Sequence, residues 1–415
     1  MVSQTDRNNL RNLAGEVMEV ASQPIQQERI EGWKAINGLR PHRPMVWITE
    51  IPWQEVIDDL PDLQPTCEEE TCRAIERNLR MGLFLQRNLE IDEVLPPYYV
   101  LSVKLQGMGF GVATQEQRIA QGASNIQSHD YEPVIKDWDD IERIQMPDVS
   151  ADWEATNRNA DFVNDIFGDI LPVRIDRIQQ HFFNAWDVIV RWTGVTEALM
   201  DLAMRPDYIH ALMRRYTDAV LARMDQLEQR GLLDTAPPRL RVGSGAAGFT
   251  DELPQADADP DHIRPIDQWG GATPQIFSDV SPDMHEEFAL RYENEIMERC
   301  GLNYYGCCEP VHNKMGILAK APRLRKISIS PWCDVTKTRE NAAQKYVFSH
   351  KPNPATLATD DFDADAAEAE VRRRFEESGE MPCEIIMKDI STIRHDFQRV
   401  QDWCRIASRV AREFE

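Results

Sequence analysis

The chain has 415 residues, of which 42% are hydrophobic and 28% charged, and its formal net charge is −24. That length and balance suit one large α/β unit or two ordinary domains, each with a full apolar core. A surface this acidic repels phosphate backbones and anionic lipid, so neither nucleic acid nor a membrane is an expected partner; solubility or a basic partner is the use left for the charge.

Residues 1–40 carry Leu10, Leu13, Val17 and Val20 at helical spacing and read as an N-terminal helical extension that Pro41 and Pro44 end. The leading MVSQTDRNNLRNLAGEV has no apolar signal core, and no later run approaches the roughly 20 apolar residues of a membrane span, so a cytoplasmic location is expected. Residues 41–415 read as one domain. Met45–Ile48 is its first strand, 66–88 a helix, and Tyr98–Val103 a second strand. Gly107, Gly109 and Gly111 lack the spacing and the Lys-Ser/Thr of a phosphate loop and mark a loop. A helix over 153–167, a strand over 171–175 and two helices over 197–229, broken at Arg205-Pro206-Asp207, come next. A strand over 239–242 and a long acidic loop over 251–274 follow.

From Ser281 the pattern sharpens. Ser281-Pro282-Asp283 caps a helix to about Arg299, and Gly301 ends it. Strands are expected over 302–305, 325–330, 345–349 and 384–388, with helices over 312–319, 363–377 and 397–414 between and after them. This alternation is the mark of parallel βαβ units. Eight such units close into a (β/α)8 TIM barrel, the fold expected here, with its chemistry at the C-terminal strand ends; an open doubly wound sheet fits the same pattern.

Eight cysteines in a long cytosolic chain are expected to be reduced and mostly buried. The exception is the stretch Tyr304-Tyr305-Gly306-Cys307-Cys308-Glu309-Pro310-Val311-His312, just past a strand. Zinc takes thiolate, imidazole and carboxylate ligands in tetrahedral sets, and a catalytic zinc keeps one position open. Adjacent side chains of an extended segment point apart, so one of the two cysteines faces the barrel mouth. The plain alternative is that both only pack. Cys333 lies past the next strand, His285 near the start of the preceding helix, and Asp389 at the end of the last strand, whereas Cys383 belongs at the opposite end. The candidate metal ligands are Cys307, Cys308, Glu309 and Cys333, with Asp389 as a further oxygen donor and His285 within reach of the same rim, and the candidate catalytic residues are Glu309, Asp389 and His285. Arg174, Asp176, Arg177, His350 and Lys351 supply charge, and Trp332 an aromatic face, for holding a small polar substrate.

Three stretches resemble the uroporphyrinogen-decarboxylase superfamily, nearer its zinc-dependent corrinoid methyltransferase branch. They are Glu28-Arg29-Ile30 with Gly38-Leu39-Arg40-Pro41-His42-Arg43-Pro44; Phe182 with Trp192-Thr193-Gly194-Val195-Thr196-Glu197-Ala198-Leu199 and Met204-Arg205-Pro206-Asp207; and Ser281-Pro282-Asp283 with Glu287-Phe288, Gly301 and Tyr305-Gly306-Cys307. The resemblance implies a barrel enzyme that moves a methyl group between a small substrate and a corrinoid protein, using zinc. It also departs from the branch. Tyr305 stands where the branch's His-x-Cys has its histidine, and Asp389 where it has its last cysteine, which is why the ligands are sought among Cys307, Cys308, Glu309 and Cys333. The decarboxylase motif Arg-Gln-Ala-Gly-Arg is replaced by Pro44-Met45-Val46-Trp47-Ile48-Thr49-Glu50, which disfavours porphyrinogen decarboxylation. No Asp-x-His-x-x-Gly corrinoid signature occurs, so cobalamin is expected on a separate partner chain. A metal-free decarboxylase-like lyase of the same superfamily, or a non-catalytic corrinoid- or tetrapyrrole-binding protein, are the alternatives, and a homodimer is an open option.

Overall fold

The structure is a computed structural model that describes residues 2–119, 128–235 and 241–415; Arg239 and Leu240, half of the strand expected over 239–242, lie outside the described residues. Seven strands form one parallel sheet: β1 (Met45–Ile48), β2 (Gln180–Phe183), β3 (Trp269–Ala272), β4 (Leu302–Tyr305), β5 (Leu324–Ile329), β6 (Val347–His350) and β7 (Cys383–Met387). Their spatial order is β1-β7-β6-β5-β4-β3-β2. Every strand after β2 therefore lies beside its sequence neighbour, and β7 returns to β1, so all C-terminal ends open on one side.

An eighth segment, Tyr99–Ser102, pairs in parallel with Val173–Asp176, just upstream of β2. Among the described residues no ladder joins it to β1, so the closed ring expected from the sequence is interrupted there. Instead, Asp92 covers this edge of β1. Its N–H donates to Val46 O at 2.8 Å, and its carboxylate accepts from Val46 N at 2.8 Å and pairs with Arg43 at 2.7 Å.

Successive strand residues face opposite ways, and this parity divides the core in two. Inside the sheet's curve, Trp47, Phe182, Trp269, Leu302, Tyr304 and Ile386 pack together with Val242 and Ala246. The last two belong to an antiparallel hairpin, Arg241–Val242 with Ala246–Ala247, that fills the interior. Gly243 turns it at φ +57°; a Cβ there would sit 2.2 Å from the Tyr304 ring. The hairpin links the two edge strands through side chains. Gln180 Nε2 donates to Arg241 O at 2.7 Å, and Arg241 Nη2 donates to Glu50 Oε1, just past β1, at 2.5 Å.

On the outer face Phe183, Ala272, Tyr305, Ile327, Phe348 and Ile385 meet a mantle of helices. The last of these helices, Gln398–Arg412, buries Val400, Trp403, Cys404, Ala407, Val410 and Ala411, a stripe at helical spacing. The helix expected from Ser281 to about Arg299 forms as α-helix, a π turn over Glu286–Leu290 and α-helix again to Met297, with Ser281 Oγ accepting from Met284 N. Residues 1–40 form two helices rather than one, Gln4–Ala21 and Pro24–Asn37. The first packs Leu10, Leu13 and Val17 against Leu79, Leu83, Tyr99 and Phe167; the second sets Trp33 and Ile36 against Met45 and Val347. Among the described residues no helix is long and apolar enough to cross a membrane.

Candidate active site at the strand ends

Cys307 follows β4 through Gly306, whose φ of +94° turns the chain across the opening, where a Cβ would press on Ser328 Cβ at 3.2 Å. Glu309 holds the turn from below. Its wholly buried carboxylate accepts from Cys307 N at 3.0 Å and from Thr273 Oγ1 at 3.0 and 3.2 Å. Ser328 Oγ donates to Cys307 O at 2.8 Å. The loop's shape is thus fixed by side chains from the ends of β3 and β5.

Around the Cys307 sulfur stand three groups. Cys308 Sγ lies 3.5 Å away, Lys388 Nζ from the end of β7 is 3.8 Å away, and Asp389 Oδ2 is 4.0 Å from Cys308 Sγ and 3.2 Å from Lys388 Nζ. A hydrogen bond from Cys308 lowers the Cys307 pKa most; burial opposes this, and the Lys388 ammonium adds to the lowering. Cys308 moves the opposite way, raised by that hydrogen bond and by burial. Burial works to lower Lys388, yet Cys307, Asp389 and Glu50 overcome it and hold its charge. Glu50 and Asp389, at the ends of the neighbouring β1 and β7, have φ of 60° and 56° and are locked together by Asp389 N donating to Glu50 Oε2 at 3.0 Å. Left-handed backbone at two non-glycine residues costs free energy and persists only where surroundings impose it, as at functional sites.

Below the cysteines the interior turns polar on one side. The register sets Tyr304 beside Lys326, Ser328 beside Ser349, and Ser349 beside Glu384. Lys351 Nζ donates to Ser349 Oγ at 2.7 Å, Ser349 Oγ donates to Glu384 Oε1 at 2.6 Å, and Lys326 Nζ pairs with Glu384 Oε2 at 2.7 Å and donates to Ala247 O at 2.7 Å. Tyr304 OH meets Ser244 Oγ of the hairpin at 2.8 Å. Burial pushes Lys351 down to about 7; Glu384 counters it, while Lys388 and Lys326 push it further down.

The structure brings together only part of the expected constellation. Cys307, Cys308 and Asp389 meet at the mouth, and Glu309 lies behind them as a buried support. Lys351 is inside, beneath the cysteines. Cys333 is buried and turned to Thr338 Oγ1 at 3.2 Å, with burial raising its pKa. His285 and His350 correct the expectation most plainly: both face the outer mantle. His285 Nε2 meets Tyr305 OH at 2.6 Å, and Tyr305 donates to Glu293 at 2.6 Å. His350 Nε2 meets Ser378 Oγ at 2.7 Å between β6 and its covering helix. Arg174 and Asp176 sit on the side strand and pair with each other at 2.9 Å, and Arg174 pairs with Asp234 at 3.1 Å; Arg177 lies over Trp153. Trp332 is 70% exposed.

The zinc set implied by the sequence does not fit. Among the described residues no group of three or more His, Cys, Asp and Glu side chains is arranged to hold a metal ion. Both Glu309 oxygens are already engaged, Cys333 points to Thr338, and the positive charge beside the Cys307 sulfur is a lysine. Lys388, Glu50, Glu384 and Lys326 also belong to the site, and their signal in the sequence is their even spacing along the strands and their place at strand ends.

No protein-family model matches the sequence, and no curated protein does. Among solved structures the chain is similar to a methyltransferase from Methanosarcina mazei, with a TM-score of 0.49 and 13% sequence identity over 94% of this chain and 98% of that one.

Proposed function

We propose that this chain is a methyltransferase whose reacting group is the Cys307 thiolate, carried by an eight-stranded barrel in which Tyr99–Ser102 is the remaining stave and residues 41–415 form one domain. The observation that carries the proposal is the Cys307 sulfur itself, half-buried at the strand ends, 3.5 Å from the Cys308 sulfur and flanked by the Lys388 ammonium. The sequence resemblance supplies the class of reaction. A thiolate is a strong nucleophile toward saturated carbon, and a fixed cation beside it keeps it ionised near neutral pH. The Cys307 sulfur attacks the methyl carbon of a small donor, the S–C bond forms, and the bond from that carbon to the donor heteroatom breaks with its electron pair. Lys388 gives its proton to the departing atom. Asp389 and Glu50 hold the lysine in place. By the resemblance, a corrinoid held by a partner protein would then take the methyl group, the S–C bond breaking with its electron pair left on the Cys307 sulfur and Lys388 regaining its proton from solvent; this chain's share is the sulfur and its surroundings.

The test is direct methylation with methyl 4-nitrobenzenesulfonate at pH 7, read by intact mass and peptide mapping. One methyl group on Cys307, absent from Cys307→Ser, is expected, together with a loss of transfer rate of at least about 10³-fold in that variant. Methylation elsewhere, or full turnover by Cys307→Ser, overturns the proposal. A metal-free lyase is the second reading, favoured by the buried Lys351 amine with its pKa lowered to about 7. It predicts that Lys351→Met abolishes turnover while Cys307→Ser leaves it intact.

A further inference from the structure

Two thiols side by side at an open mouth have a second chemistry available. Cys307 is half-buried and Cys308 exposed, while the other six cysteines are buried. The two sulfurs are 3.5 Å apart, and the loop that carries them is pinned by Glu309 and Ser328 rather than by the sulfurs themselves. Thiol–disulfide exchange needs an accessible sulfur, so oxidant is directed to this pair of the eight cysteines.

We propose that Cys307 and Cys308 are a reversible redox site, closing into a disulfide between neighbouring residues when the chain meets a small disulfide such as oxidised glutathione. The consequence for activity rests on the function proposed above; the chemistry does not. In the first step the Cys307 thiolate attacks one sulfur of R–S–S–R, forming Cys307–S–S–R and releasing RS⁻. In the second, the Cys308 sulfur attacks the Cys307 sulfur, its proton passes to a thiolate, and the second RS⁻ departs. Two protein thiols are oxidised to one disulfide and one small disulfide is reduced to two thiols.

The geometry also makes the product labile. Unstrained disulfides join Cα atoms roughly 4.4–6.8 Å apart, and trans-linked neighbours are only about 3.8 Å apart. The ring is therefore strained, and strained, exposed disulfides are the easily reduced, regulatory kind. While it is closed, the thiolate is gone and Lys388 faces an uncharged sulfur, so transfer stops. A reducing thiol restores both.

The experiment equilibrates the full chain with oxidised glutathione and counts thiols after denaturation. The expected result is a fall from eight titratable thiols to six, a mass lower by two hydrogens, a crosslink mapped to Cys307–Cys308, and full recovery with reduced glutathione. Cys308→Ser is expected to stop at one stable glutathionyl group on Cys307. Eight thiols remaining, a lasting glutathione adduct on the wild type, a crosslink mapped elsewhere, or no adduct on Cys308→Ser each overturn the proposal. The mass readout keeps the two ideas apart. If the disulfide forms but Cys307→Ser retains turnover, the methyl-transfer reading fails and the redox site stands; if no disulfide forms but Cys307→Ser is dead, the reverse holds.

Discussion

Two buried polar clusters sit back to back across the same strands. The inner one runs from Lys351 through Ser349 and Glu384 to Lys326, under the cysteines. The outer one runs from His285 through Tyr305 to Glu293, between β4 and its helix. Tyr304 belongs to the first and Tyr305 to the second, one residue apart. Both clusters hold strongly shifted groups, so a shifted pKa alone does not mark the reacting site. What separates them is parity: only the inner cluster lies on the face that opens at the strand ends, beside Cys307. The outer one satisfies polar groups that the mantle helices bury.

The largest effect that would break this comparison concerns the inner cluster. Glu384→Ala leaves Lys326 buried without its partner and is expected to cost about 3–5 kcal/mol of unfolding free energy, measured by urea denaturation. A cost under about 1 kcal/mol would mean that the inner network is hydrated and open. Next in size is the outer cluster's response to pH. Burial raises Glu293 from 4.5 to about 8 and lowers His285 from 6.5 to about 3. Between pH 6.5 and 8 the unfolded chain has already lost the Glu293 proton while the folded chain keeps it, so this group's contribution to stability falls as pH rises, by at most about 1.4 kcal/mol per unit, and above 7 the Lys351 amine works the other way. Below 6.5 His285 acts in the opposite sense, because the unfolded chain binds a proton that the folded one refuses. Measured as the difference from wild type, Glu293→Gln should remove this falling contribution between 6.5 and 8 and leave the labelling of Cys307 unchanged; altered labelling would join the two clusters.

Lys388→Met sharpens the comparison from the inner side. It removes the cation beside the sulfur and should slow iodoacetamide labelling of Cys307 at pH 7 about tenfold, equivalent to one unit of thiol pKa. An unchanged rate would leave Cys308 as the sole source of the thiolate. The smallest effect is Trp332→Ala, expected to stay within about 0.5 kcal/mol of wild type because the ring is largely in solvent.

The second half of the fold was legible in the sequence because β4 to β7 are short runs bounded by turn residues and separated by helices. Two strands of the sheet were not. Trp269-Gly270-Gly271-Ala272 reads as loop, yet both glycines are needed by packing: a Cβ on Gly270 would meet Cys300 Sγ at 2.6 Å, and one on Gly271 would meet Tyr304 O at 2.5 Å. Gln180–Phe183 was missed because polar residues precede it without a break. At the site, the cysteine pair and Asp389 could be read from type and position. His285 and His350 misled because residue type says nothing about which face a side chain takes. Lys388 and Glu50 show their place at strand ends in the sequence but not their meeting, which depends on β7 returning to lie beside β1, a non-local pairing.

The unclosed side of the ring has one more consequence. A bare parallel edge is a template for a strand from another molecule, which is how sheets seed aggregates. Asp92 occupies both the donor and the acceptor of Val46, and the hairpin spans the gap from Gln180 to Glu50. A chain with Asp92→Ala would keep the backbone bond to Val46 O but leave Val46 N open to a foreign strand, so the carboxylate guards that donor as well as securing the strand it touches.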